Sequence, residues 1–109
     1  MRTITNVKGF RFWGAHTGVK SKRRDLALIY SEKPASVASL FTRNLVVAES
    51  IKVCRERENP GKARLIVINS GNANACTGKQ GYDGARAVVK AASETWNVPE
   101  EQILIASTG

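Results

Sequence analysis

Apolar residues fall in short blocks between turn-forming residues, and two periods are visible. Gly9-Phe10-Arg11-Phe12-Trp13-Gly14 alternates large apolar and other residues between two glycines, the period-two pattern of a strand. Asp25-Leu26-Ala27-Leu28-Ile29-Tyr30-Ser31 is a nearly continuous apolar run of strand length. The polar, basic residues 16–24 between them predict an antiparallel hairpin. Glu32-Lys33-Pro34 breaks the pattern, and Val37, Leu40 and Phe41 are spaced for one or two helical turns over residues 36–41. Leu45-Val46-Val47-Ala48 is a short β-branched run, and residues 50–58 predict a helix. That helix would bury Ile51 and Cys54 and turn Lys52, Arg55, Glu56 and Arg57 to solvent, before Glu58-Asn59-Pro60-Gly61 stops it.

Arg64-Leu65-Ile66-Val67-Ile68-Asn69 is the clearest strand, and its apolar continuity predicts burial on both faces. A loop rich in Gly, Asn and Ser follows over residues 70–81. Residues 82–97 predict the main helix. Ala85, Val88, Val89, Ala92 and Trp96 form one apolar stripe, Asp83 lies in the first turn, and Asn97 and Pro99 end it. Pro99-Glu100-Glu101-Gln102 predicts a single helical turn opened by proline, and Ile103-Leu104-Ile105-Ala106 a last strand. The order implies an α/β or α+β fold: a mixed sheet covered by helices, in one domain spanning residues 1–109.

Composition narrows the function classes. With 42% hydrophobic and 24% charged residues the chain is ordinary globular material. The net charge of +8 admits a polyanion partner, but the basic residues are scattered apart from Lys20, Lys22, Arg23 and Arg24, which suit a solvated hairpin tip. An acidic partner chain would also balance that excess. Cys54 and Cys76 have no CxxC spacing, and His16 is the only histidine, so no metal site is expected. Two cysteines fit a reducing cytosol, hence a cytoplasmic location. No apolar run reaches the ~18 residues of a membrane span, and Met1-Arg2-Thr3-Ile4-Thr5 has no signal-peptide core. Neither a membrane nor a nucleic acid is an expected partner.

Candidate chemistry sits in two places. Asn69-Ser70-Gly71-Asn72-Ala73-Asn74-Ala75-Cys76-Thr77-Gly78 lies between the buried strand and the main helix, where α/β proteins place ligands. It has neither the GxGxxG nor the Walker pattern, and from the residues alone it reads more simply as a tight loop satisfying its own backbone. Cys76 is expected as a buried, inert thiol, Cys54 as packing, His16 as a surface residue, and Trp13 and Trp96 as core aromatics. The second place is Ala106-Ser107-Thr108-Gly109. An apolar strand opening into a hydroxyl and a glycine can present donors to an oxyanion, or it can be an ordinary strand-end turn.

These residues resemble a known family. Gly9-Phe10, Gly18-Val19-Lys20, Asp25-Leu26-Ala27-Leu28-Ile29, Leu40-Phe41-Thr42-Arg43-Asn44, the ten residues 69–78 and Ser107-Thr108-Gly109 are similar to the N-terminal part of the alpha chain of the ornithine acetyltransferases, or glutamate N-acetyltransferases. The resemblance covers essentially all of this chain and roughly a quarter of a family precursor. It implies an α+β sandwich of which this chain is an incomplete part. It implies a precursor that cleaves itself before a threonine, the nucleophile at the N-terminus of a beta chain, in a hetero-oligomer of alpha and beta chains. The acetyl group passes from N2-acetylornithine to glutamate by ping-pong transfer in arginine biosynthesis. No cofactor is implied, although bifunctional members also accept acetyl-CoA as a co-substrate. The oxyanion hole of such a family falls on Thr108 and Gly109. The nucleophile and the ornithine-binding residues would lie outside these 109 residues. A self-cleaving amidohydrolase or aminopeptidase of the same fold is the nearest alternative, and a basic nucleic-acid-binding module a more distant one.

Overall fold

The computed structural model describes residues 7–109; the leader reading of residues 1–5 lies outside them. The elements run β1 (Phe10–Ala15), β2 (Leu26–Ser36), α1 (Glu49–Arg55), β3 (Lys62–Ser70), α2 (Gly78–Trp96), a 3₁₀ turn (Glu100–Gln102) and β4 (Ile103–Thr108). They build one four-stranded sheet in the order β1-β2-β3-β4. β1, β2 and β3 are antiparallel neighbours, and β4 runs parallel to β3 after the α2 crossover. This is the expected mixed sheet with helices, an α+β fold.

Side-chain alternation divides the sheet into two unlike faces. Leu28, Leu65, Val67 and Ile103 point to one face and pack against Val53 of α1 and Ala85, Val89 and Ala92 of α2. Leu65, Ile103, Val53, Val89 and Val98 are fully enclosed, each contributing about 1.5–3 kcal/mol of burial. The other face carries the row Phe12, Ile29, Ile66, Leu104, brought into register across all four strands. None of these four is buried. The two-faced burial expected of β3 is therefore half met, because both helices lie on the same side of the sheet.

Other expectations change for local reasons. Strand β2 runs through Glu32-Lys33-Pro34, which the sheet accommodates by a register shift between Tyr30 and Ala35. Residues 37–47 form no helix and no strand; only Ala48 makes a bridge, to Ala75. Leu40 is fully exposed, so the spacing over residues 36–41 that suggested helical turns has no surface here to pack on. The β-branched run from Leu45 is exposed at Leu45 and Val46 and pairs through Ala48. Helix α2 starts at Gly78, four residues early, so Asp83 is not in its first turn and instead pairs with Lys79 at 2.8 Å. Its stripe is buried at Ala85, Val89 and Ala92 but open at Val88 and Trp96. Trp13 and Trp96 are not core: they are 52% and 39% exposed, beside a small groove against Tyr30 and Leu65. The helix ends at Asn97, as expected; there Asn97 takes the left-handed conformation and donates its N–H to the Ser93 carbonyl.

Arg57 reverses its predicted role. It is buried, and its guanidinium donates to the carbonyls of Cys54, Pro60, Lys62 and Glu101. One planar fork of donors thereby closes the end of α1, the turn into β3 and the 3₁₀ turn.

Candidate active site at the strand tips

Parallel pairing brings the ends of β3 and β4 together, with Asn69 opposite Ser107 and Ser70 opposite Thr108. The two predicted segments therefore meet. Ser107 Oγ donates to Asn69 Oδ1 at 2.6 Å, and Asn69 Nδ2 donates to the Asn72 carbonyl at 3.0 Å. The Gly71 N–H donates to the Thr108 carbonyl at 2.9 Å. A Cβ on Gly109 would lie 3.9 Å from that of Ala73. The loop thus touches the tip of β4 along three successive residues.

The loop is itself braced from within. Asn74 donates Nδ2 to the Gly81 carbonyl at 3.0 Å and accepts the Thr77 hydroxyl at 2.6 Å. Its N–H reaches Asn72 Oδ1 at 3.0 Å, and its carbonyl accepts the Glu49 N–H at the start of α1. Asn74 holds φ at +50° and Cys76 at +57°, a region that asparagine tolerates and cysteine adopts at a cost. Cys76 is exposed rather than buried, because this left-handed turn carries it outward; Cys54 is buried, as expected, with Sγ 3.3 Å from the Ile105 carbonyl. Burial pushes the Cys54 thiol pKa up, against the opposing hydrogen bond donated by the Ile105 N–H to Sγ and the charge of Arg57. Both thiols are free.

The hairpin tip closes over this loop. Asp25, almost completely enclosed, accepts the Thr17 N–H and hydroxyl at 2.6 Å each and the Lys20 N–H at 3.0 Å. Those bonds, led by the Thr17 hydroxyl and opposed by desolvation, hold its carboxyl well below the usual carboxylate range. The tip so ordered sets Val19 directly above Gly71. A Cβ on Gly71 would stand 2.8 Å from Val19 Cγ1, and its φ is +101°. His16 is exposed, with Nε2 2.6 Å from the Lys20 carbonyl. Residues 21–24 are exposed, as a solvated tip requires.

A cleft of about 740 Å³ opens between α2 and the helix-side face of the sheet, lined by Asn69, Asn74, Thr77 and Ser107 with Val88 and Ile105. Thr108 follows Ser107 in the strand, so its side chain takes the opposite, uncovered face. Thr108 and Gly109 are exposed, and the Thr108 hydroxyl makes no hydrogen bond among the described residues. The sequence pointed to both segments. It did not show that Asn69 and Ser107 meet, nor that Asp25 and Val19 hold the loop, since each contact depends on strand pairing.

Fold and site together define the chain as an α+β domain presenting a braced, hydroxyl-and-glycine strand tip beside an open sheet face. Residues 11–109 match the ArgJ family, and the chain belongs to that family. It is 47% identical over 102 residues to the arginine biosynthesis bifunctional protein ArgJ of Caldanaerobacter subterraneus subsp. tengcongensis, covering 94% of this chain and 25% of that protein. It is 45% identical over 108 residues to the protein of the same name from Halalkalibacterium halodurans, covering 98% and 26%. The chain thus spans about a quarter of the length of these curated relatives. Its fold superposes with TM-score 0.93 on a crystal structure of the arginine biosynthesis bifunctional protein argJ from Bacillus halodurans, at 45% identity over 99% of this chain and 57% of that one. It superposes with TM-score 0.85 on an ornithine acetyltransferase from Mycobacterium tuberculosis complexed with ornithine, at 36% identity over 97% of this chain and 58% of that one. The resemblance read from the sequence is the family found here.

Proposed function

We propose that this chain is the N-terminal part, a single domain, of the alpha chain of an N-terminal-threonine acyltransferase moving acetyl from N2-acetylornithine to glutamate, with Thr108 and Gly109 as its oxyanion hole. The observation that carries the reading is the strand tip: an exposed threonine hydroxyl and glycine, held in place by the Gly71 N–H, in a member of this family. The arginine-biosynthesis names of the relatives and the ornithine bound by the Mycobacterium tuberculosis neighbour support the substrate class.

The nucleophile comes from a beta chain outside these residues. Its threonine hydroxyl attacks the acetyl carbonyl, and its own α-amino group, with a pKa near ~7.7–8.0, takes the proton. Negative charge develops on the carbonyl oxygen, where the Thr108 hydroxyl and Gly109 N–H donate to it. Collapse breaks the C–N bond, ornithine leaves with the proton, and an acetyl-enzyme remains. The amine of glutamate then repeats the sequence through a second tetrahedral intermediate. The uncovered apolar face bearing Thr108 is where the remainder of the protein docks.

Initial rates of the complete protein with varied N2-acetylornithine and glutamate test the reading. Parallel double-reciprocal lines and N-acetylglutamate as product are expected. Release of free acetate at the same rate with and without glutamate would instead make it a hydrolase. Substituting acetyl-CoA for N2-acetylornithine in the same assay tests the second donor.

A further inference from the structure

Resting on the oxyanion reading of Thr108 and Gly109, we infer that the side chains of Asn69 and Ser107 form a positioning couple that aims the Gly109 N–H. A trans peptide is planar, so the Thr108 carbonyl and the Gly109 N–H belong to one rigid plane and point in opposite directions. No cis bond interrupts this arrangement among the described residues. Whatever fixes the Thr108 carbonyl therefore fixes the donor on its far side. The Gly71 N–H holds that carbonyl at 2.9 Å.

Gly71 is a glycine with φ of +101°, and its backbone is not self-positioning. Two groups hold it. Val19 covers it from the hairpin tip. From below, Asn69 pins both ends of the turn: its Nδ2 holds the Asn72 carbonyl just after Gly71, and its Oδ1 accepts the Ser107 hydroxyl just before Thr108. Among the described residues the Asn69 carboxamide is the side chain that bonds the loop and β4 at once. It needs an acceptor and a donor together, which asparagine offers and aspartate does not. Asn69 and Ser107 lie on the helix-side face, across the strand from the face of Thr108, so they act through the backbone and not on the substrate.

The test is steady-state kinetics of the complete enzyme with N2-acetylornithine and glutamate, on variants shown folded by thermal melting. Asn69→Ala, Asn69→Asp and Ser107→Ala are each expected to lower kcat by ~10–100-fold with KM for N2-acetylornithine changed less than ~3-fold, because a misaimed donor weakens only the transition state. Ser107→Thr, which keeps the hydroxyl, is expected to restore most of the rate. The Asn69→Ala/Ser107→Ala double variant is expected to be no slower than the worse single one. Folded Ser107→Ala or Asn69→Ala enzymes with kcat within ~2-fold of the parent would overturn the couple, as would losses confined to KM. Thr108→Ala run alongside separates the two readings: a slow Thr108→Ala with normal Asn69 and Ser107 variants sinks this inference alone, and a normal Thr108→Ala sinks the oxyanion reading beneath it.

Discussion

Gly71 shows how much one residue can carry. It turns the chain out of β3 with φ at +101°, gives its N–H to Thr108, and accepts Val19 against its Cα. An alanine there meets two penalties: a left-handed backbone, costing about 1–2 kcal/mol, and a methyl 2.8 Å from Val19 Cγ1. Chemical denaturation of Gly71→Ala should show a loss of about 1–3 kcal/mol. Adding Val19→Ala should recover the contact part and leave the backbone part; full recovery would mean the φ value costs nothing. Asp25 ties the stability of the hairpin tip to pH. Its folded pKa lies below the unfolded value of about 3.9, so its contribution is fully present above that value and lost as pH falls through the folded pKa. Asp25→Asn should lower Tm at pH 7 and shrink the gap to wild type as pH drops below about 4. A gap that is constant across that range would deny the Thr17 and Lys20 bonds their role.

Among the elements, what was legible follows from what is local. The β1–β2 hairpin, β3, the end of α2 at Asn97 and the strand after Pro99 are each set by period and turn residues within a few positions, and the structure agrees. The helical turns expected over residues 36–41 did not form because amphipathic spacing makes a helix only where a surface waits for it, and Leu40 finds none. Arg57 was misassigned because helical spacing does not reveal that four carbonyls from three segments converge on it. The candidate site was half legible. The composition of residues 69–78 and the hydroxyl-glycine ending of β4 marked both segments. Their meeting depends on β4 pairing parallel to β3 through a 19-residue helix, and no local pattern encodes that.

At the scale of the whole molecule, the two sheet faces pose the main question. A row of Phe12, Ile29, Ile66 and Leu104 stays open while the opposite face is sealed by α1 and α2. In the proposed enzyme that row is an interior face covered by the rest of the protein. Ile66→Asp distinguishes the alternatives, because Ile66 plays no part in the helix-side core. If the face is covered in the complete protein, a buried carboxylate should destabilise it by several kcal/mol. A change within about 0.5 kcal/mol, as for an ordinary surface position, would mean the face stays in water.

The same face carries Thr108, whose hydroxyl in the proposed enzyme stabilises the charge formed during acyl transfer. The most direct measurement is kcat for acetyl transfer from N2-acetylornithine to glutamate in complete enzymes carrying Thr108→Ala or Thr108→Ser. A fall of ~10²–10³ is expected for alanine, and a rate within about tenfold of wild type for serine, which keeps the donor. Equal rates for the alanine variant and the parent would contradict that role.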